Sequence, residues 1–225
     1  MKVQMKVAID GPAGAGKSTV AKKLADRLGL LYIDTGSMYR AVTLKALQSQ
    51  ISFGDAEQLG RLAATVKIEL VPGNEAGCKV FLDGQDVTKA IREPQVSNHV
   101  SLVAKIPAVR KNLVKQQQDI AAHCGVVMDG RDIGTRVLPD AKAKFFLTAT
   151  IEERAKRRLQ DLKQQGHDIS LKKLISEIAE RDTMDQNRAV DPLIPSEDAI
   201  IIDSTGLTIE QVVELMVQKV KEVYA

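Results

Sequence analysis

The chain has 225 residues, 44% apolar and 27% charged, the composition of an ordinary soluble globular protein large enough for one sizeable core plus an insert. A net charge of +3, no Trp, and three Tyr and four Phe that do not cluster argue against a nucleic-acid surface, which needs a basic footprint or an aromatic stacking platform. Cys78 and Cys124 have no C-x-x-C partner, which fits reduced thiols in a cytoplasmic protein rather than a disulfide or zinc framework; no apolar run is long enough for a membrane span, and Met1 to Lys6 is too short and too charged for a signal peptide.

In chain order, Val7-Ala8-Ile9 is an apolar strand that runs into Asp10-Gly11-Pro12-Ala13-Gly14-Ala15-Gly16-Lys17-Ser18-Thr19 and then a helix from about Ser18 to Leu28. Gly-x-x-x-x-Gly-Lys-Ser between a strand and a helix is the pattern of a phosphate-binding loop. Its glycines let backbone N–H groups converge on phosphate oxygens, and the helix N-terminus adds its dipole. Residues Gly11 to Thr19 therefore form the expected ATP phosphate site, with Lys17 a solvated side chain reaching the β- and γ-phosphates and the Ser18 hydroxyl placed to ligate Mg²⁺. Leu30 to Ile33 is a second strand. Gly36 is expected to break it and Ser37 to cap a helix reaching about Gln50, with Arg40 in its first turn, at the end of a parallel strand where open α/β sheets bind ligands.

Residues 54 to 66 read as a helix. Lys67–Val71, Lys79–Asp83 and Asp86–Thr88 then alternate in polarity around turn residues Pro72 to Gly77, which predicts a small antiparallel meander inserted in an α/β domain. Helical patterns resume over Glu93–Ala104 and Ala108–Ala122. Gly125 to Asp129 reads as a buried parallel strand ending on a carboxylate, followed by Gly130-Arg131-Asp132-Ile133-Gly134-Thr135-Arg136, where two arginines and an aspartate sit among glycines. Lys144–Leu147 and Ala199–Asp203 are further strands, and Ile209–Tyr224 is an amphipathic closing helix.

Two polar helices, about 151–164 and 170–188, are joined at Gln165-Gly166-His167-Asp168. The first carries Arg154, Arg157 and Arg158. The second places Arg181, Asp185 and Arg188 at i, i+4 and i+7, on one expected face; taken alone, Arg181 with Asp185 reads as a solvated ion pair. Eight of the twelve arginines lie from Arg110 onward, although lysine outnumbers arginine 20 to 12 overall. Arginine's planar fork suits phosphate oxygens, so a mobile arginine-rich helix pair resembles a lid that brings charge to a transferring phosphoryl group.

Together these segments resemble the bacterial cytidylate kinases nearly end to end, through Ile9 to Lys17, Asp34 to Arg40, Asp129 to Thr135, Glu180-Arg181-Asp182 and Asn187-Arg188-Ala189-Val190 followed by Pro192-Leu193. The resemblance implies an α/β P-loop kinase core of five parallel strands with helices on both faces, over about 1–64 and 94–225. It also implies a monophosphate-binding region enlarged by the antiparallel insert at about 65–93, and a lid at about 152–166. By position, Arg40, Arg131 and Arg188 look like ligands of the acceptor phosphate. Ser101, Arg181 and Asp185 look like ribose contacts, and Thr35, Arg110 and Asp132 like cytosine readers, with Tyr39 in the same CMP-binding set. Lys17, Arg131, Arg157, Arg158 and Arg188 are the expected catalytic charges. Asp129 holds a water in the metal shell or caps the strand-end turn. Ala13 replaces a serine common in relatives, and His99, His123 and His167 match nothing functional.

The implied activity is transfer of the γ-phosphoryl group of ATP, with Mg²⁺, to CMP and dCMP by a cytoplasmic monomer with no nucleic-acid or membrane partner. A nucleotide switch would share the loop but should carry the base-reading sequence Asn-Lys-x-Asp, which is absent. A kinase of another small metabolite would share the fold and differ only in the acceptor pocket.

Overall fold

The computed structural model describes residues 4–72, 78–164 and 169–225. Met1 to Val3, the expected turn beyond Pro72 and the Gln165 to Asp168 joint lie outside them. Among the described residues, β1 (Lys6–Asp10), β2 (Leu31–Asp34), β6 (Val126–Gly130), β7 (Ala143–Thr148) and β8 (Ile200–Asp203) form a five-stranded sheet in the order β2-β6-β1-β7-β8. Every pairing is parallel. The central strands are apolar through their middles, with charges at Lys6, Asp10, Asp129 and Lys144, as strands covered on both faces read. On one face α1 (Lys17–Leu28) and α8 (Ile209–Tyr224) enclose Val20, Leu24, Val213 and Met216 with Val7, Ile9 and Phe145; on the other, Ala8, Ile33, Val126 and Met128 pack with Val114 of α5 (Pro107–Ala121).

A second core joins α2 (Thr35–Gln48), α3 (Ala56–Thr65), α4 (Pro94–Ala104) and α5 to a separate antiparallel sheet of β3 (Ile68–Pro72), β4 (Cys78–Leu82) and β5 (Gln85–Asp86), through Met38, Val42, Leu59, Val80, Leu82, Ile91 and Leu113. Finally α6 (Ile151–Gln164) and α7 (Leu171–Gln186) pack on each other through Ala155, Leu162, Leu174 and Ile178.

Parallel pairing brings the carboxyl ends of the strands to one edge. Asp34 lies opposite Asp129, Ile9 opposite Asp129 and Asp10 opposite Gly130, so the loops after β1, β2 and β6 emerge together. The start of α2 departs from expectation. Ser37 does not cap it and Gly36 does not precede it: Asp34 is the cap, its side chain accepting the Ser37 N–H at 3.1 Å, and both residues lie inside the helix. An aspartate at the strand end reaches the open amides first. Arg40 consequently falls in the second turn. Likewise α7 stops at Gln186, so Arg188 belongs to the loop beyond it rather than to a helical face with Arg181 and Asp185.

Candidate active site

The phosphate loop begins where β1 ends. At Gly11 the backbone has φ 146°, and a Cβ there would stand 2.0 Å from the Leu147 carbonyl oxygen, so only glycine lets the chain leave the sheet this way. A Cβ on Gly14 would stand 3.1 Å from Arg154 Cβ, which shows how closely α6 is set on the loop. Lys17 is the first residue of α1 and is buried, contrary to the expected solvated side chain. Its Nζ donates to the Pro12 carbonyl at 2.7 Å. Burial, then the charge of Arg131, hold this ammonium well below the ordinary lysine range.

Asp129 is the hub beside it. The Ser18 hydroxyl donates to Oδ2 at 2.9 Å and the Tyr32 hydroxyl to Oδ1 at 2.9 Å. Thr35 Oγ1, expected to read the base, instead donates to the Asp129 carbonyl at 2.7 Å. Of the two expected roles for Asp129, turn capping falls away: the amides of Ile133 and Gly134 both donate to Asp10, at 2.8 Å each. Burial and the nearby Asp34 push the Asp129 carboxyl up, and burial pushes Asp10 up to about 6. Tyr32 and Asp10 were not singled out from sequence. Each sits at or near the end of a strand whose register aims it at the shared edge, and single-chain periodicity does not reveal register.

Arginines crowd the next stretch of the cleft. Arg40 Nη1 donates to Ser97 Oγ at 2.7 Å and to the Ile91 carbonyl at 3.3 Å. Arg131 Nε donates to Asp185 Oδ2 at 2.8 Å, so Asp185 pairs across the fold and not along its own helix with Arg181. The expected solvated pair is thus replaced by a buried one. Arg181 keeps a buried Nε without a polar partner among the described residues. Burial, with Arg131 beside it, pulls the Arg181 guanidinium down to about 9, and burial pulls Arg40 to about 10; Arg158 adds to both.

Deeper in, Asp132 lies between two arginines. Arg110 Nη2 donates to its Oδ2, and Arg188 Nη2 lies 3.4 Å from Oδ1. Arg110 is buried, bonded through Nε to Asp191 at 3.0 Å and through Nη1 to the Ala104 carbonyl at 3.1 Å, with its guanidinium 5.6 Å from the centre of the Tyr39 ring. Arg188 Nε donates to the Asp191 carbonyl. Asp191 is a further residue that spacing did not flag. The Tyr39 hydroxyl is buried without a partner among the described residues, and Ser101 is buried on α4, which packs against α7.

The three arginines of α6 diverge. Arg154 is buried, donating through Nε to the Ala149 carbonyl and through Nη1 to the Ala13 carbonyl, both at 3.0 Å, with Nη1 also 2.7 Å from Asp182 of α7. Arg157 is fastened to Ser204, at 3.0 Å to Oγ and 2.9 Å to the carbonyl oxygen, and to Glu153 at 3.0 Å. Arg158 is half-buried, and its charge is felt at Arg40 and Arg181, lowering both. Away from the cleft, His99 stacks on Phe53 with Nδ1 2.8 Å from the Gln95 carbonyl oxygen, and His123 is exposed. His167 lies outside the described residues. Cys78 and Cys124 are free thiols, and among the described residues no helix is long and apolar enough to cross a membrane.

The chain matches the family described as Cytidylate kinase over residues 7–222. It is 59% identical over 216 residues to the cytidylate kinase of Desulforamulus reducens, covering 96% of each chain. To that of Bacillus subtilis strain 168 it is 49% identical over 222 residues, covering 99% of each. Among solved structures, an uncharacterized protein from Eubacterium ventriosum aligns with a TM-score of 0.53 at 13% identity, over 97% of this chain and 99% of that one, a likeness of fold alone. With a phosphate loop, a cleft of buried arginines and these relatives over nearly its whole length, the chain belongs to the cytidylate kinase family.

Proposed function

We propose that the protein transfers the γ-phosphoryl group of ATP in line to the phosphate of CMP or dCMP, giving CDP or dCDP, as a cytoplasmic monomer. The observation that carries this reading is the cluster of Arg40, Arg131 and Arg181. Arg40 and Arg181 are lowered by burial and by neighbouring arginines, yet at about 10 and 9 both stay charged at neutral pH. Arg131 is balanced by Asp185, but Arg181 keeps an unpartnered Nε among the described residues and Arg40 donates to the neutral oxygens of Ser97 and Ile91, so these two charges favour a phosphate. Lys17 and the amides of Gly11 to Thr19 hold the donor phosphates on the other side of the reacting centre, and Arg158 and Arg188 add charge there.

No general base is needed. A nucleoside monophosphate has its second phosphate pKa near about 6, so the attacking oxygen is already an anion at neutral pH. What the chain must do is hold two anions in line and offset the charge on the passing group. Mg²⁺ fits beside the loop: Ser18 and Asp129 offer oxygen ligands 2.9 Å apart, and the raised Asp129 carboxyl marks a buried negative charge that a cation would offset. When bound there, held by the Ser18 hydroxyl and by Asp129 through water, it would supply neutralisation of the donor phosphates.

For the base, the Asp132 carboxylate accepts from the cytosine amino group at N4 while Arg110 donates to N3 and O2. Uracil would set O4 against the carboxylate and N3–H against the guanidinium. Ser101 and Asp185 take the ribose, with Arg181 shared between ribose and phosphate, and Thr35 braces the pocket through its bond to the Asp129 carbonyl. The direct test measures ADP formation from ATP with CMP, dCMP, UMP, AMP and GMP in turn. CMP and dCMP should lead the panel. Faster turnover of a purine monophosphate, or none of CMP, would discard the reading.

A further inference from the structure

We propose that Asp10 is a positioning residue for the acceptor pocket, its carboxylate setting the turn that carries Arg131 and Asp132 in register with the phosphate loop. The proposal rests on the acceptor-pocket reading above. Asp10 ends β1 and immediately precedes the loop glycine Gly11, yet both of its oxygens are bonded to the turn after β6. They accept the backbone N–H groups of Ile133 and Gly134 at 2.8 Å each, inside the protein, where Asp10 is 4% exposed.

The β1–β6 pairing already fixes Gly130, opposite Asp10. Arg131 and Asp132 are thus the two residues between a backbone pinned by the sheet and a backbone pinned by this carboxylate. From that short span Arg131 reaches Asp185, and Asp132 meets Arg110 and Arg188. Two converging amides need two acceptors on one rigid group. A carboxylate provides them, whereas an asparagine would turn an NH₂ against one of the amides. The space is matched as well. A Cβ on Gly134 would meet Asp10 Oδ2 at an ordinary 3.4 Å but would crowd Ser196 Oγ at 3.1 Å and Lys144 Cδ at 3.2 Å, so a side chain there presses the turn from the side away from the carboxylate's hydrogen bonds.

The consequence is selective. Without the clamp, Asp132 and Arg131 lose their fixed position relative to a bound monophosphate, while the loop amides and Lys17 that face the donor keep theirs. Asp10→Asn, Gly134→Ala and Asp132→Asn are compared with the parent protein in steady-state assays varying ATP and CMP separately, with UMP as a second acceptor and thermal unfolding to measure the folded fraction. Asp10→Asn should raise KM for CMP about tenfold, the scale of one lost charge-assisted hydrogen bond. KM for ATP should stay within about twofold, and the CMP-over-UMP ratio should fall. Gly134→Ala, which leaves the carboxylate in place and crowds the turn, should move the same two readings in the same direction, and it decides the matter if Asp10→Asn does not fold.

The proposal is overturned if activity falls only in proportion to the folded fraction with both KM values unchanged, or if KM for ATP rises as much as KM for CMP. If Asp132→Asn raises KM for CMP while Asp10→Asn and Gly134→Ala do not, Asp10 loses its role and the pocket stands. If Asp132→Asn also leaves CMP untouched, the pocket reading fails and the proposal fails with it.

Discussion

At the scale of single residues, burial changes what each charge is expected to do. Lys17 is enclosed and bonded to the Pro12 carbonyl, so its removal costs some packing as well as chemistry. Lys17→Ala should still fold, because deleting the side chain takes away a buried cation that burial itself disfavours. Turnover should drop by about 10²- to 10³-fold or more, the scale of a lost electrostatic clamp; a variant retaining half of the parent rate would remove the loop from ATP binding. Asp132 poses the opposite case, since it neutralises Arg110 and Arg188 at once. Asp132→Ala should lower kcat/KM mainly for CMP and shrink the CMP/UMP ratio, which a polar site of this kind can set at up to roughly 10⁴-fold. It should also lower the melting temperature, because Arg110 and Arg188 are left to share Asp191 alone. Kinetics on the folded protein separate the two effects, and a CMP/UMP ratio equal to the parent's would leave Asp132 a purely structural residue.

At the scale of elements, α6 holds side chains with different duties one turn or less apart. Arg157 is tied to Ser204 beyond β8 and Arg154 to the Ala13 carbonyl and Asp182, so both act as fastenings between helix pair and loop. The charge of Arg158 is felt within the arginine cluster, at Arg40 and Arg181. Arg158→Ala should therefore lower kcat by about 10²-fold with little change in KM for CMP, as expected of a charge felt mainly in the transition state. Arg157→Ala should show up instead in KM for ATP. Single-turnover rates with saturating ATP and CMP check this, and equal kcat losses in the two variants would contradict the division. Helix and strand identities were legible in the chain because periodicity is a local property: the apolar runs at Val7, Val126 and Phe145 and the Gly-x-x-x-x-Gly-Lys-Ser spacing suffice. Which partner a side chain meets was not. Asp34 and Ser37 are both good caps three residues apart, and only the strand end decides between them. Asp185 could pair with Arg181 on its own helix, yet Arg131 from another strand's loop takes it.

At the scale of the whole molecule, two cores stand side by side: one packs α1 and α8 on the parallel sheet, the other packs α2 to α5 with the antiparallel sheet, and the function proposed above puts the donor on the first and the acceptor on the second. The family resemblance named residues that the fold brings into contact, Arg110 and Arg188 with Asp132 and Arg131 with Asp185. Asp10, Tyr32, Asp191 and Ser204, which bond to members of this set or to the elements that carry them, stay hidden in the sequence because their contacts span long sequence separations.

The hydroxyl of Tyr224 donates to the carbonyl of Lys6 at 2.8 Å and accepts its N–H at 3.0 Å, tying the last turn of α8 to the first residue of β1. Because β1 also needs β6 and β7 on its two sides, the strand synthesised first stays without its neighbours until most of the polypeptide has been made. Such non-local closure should make refolding slow, in the millisecond-to-second range or longer. A chain truncated before Ile209 would leave the apolar surface of Val20, Leu24 and Phe145 uncovered and should be captured by chaperones or aggregate during translation. Stopped-flow refolding of the full chain, and protease resistance of nascent chains stalled before and after α8, would measure this delay; protection already complete before α8 emerges would show that the first strand is secured earlier.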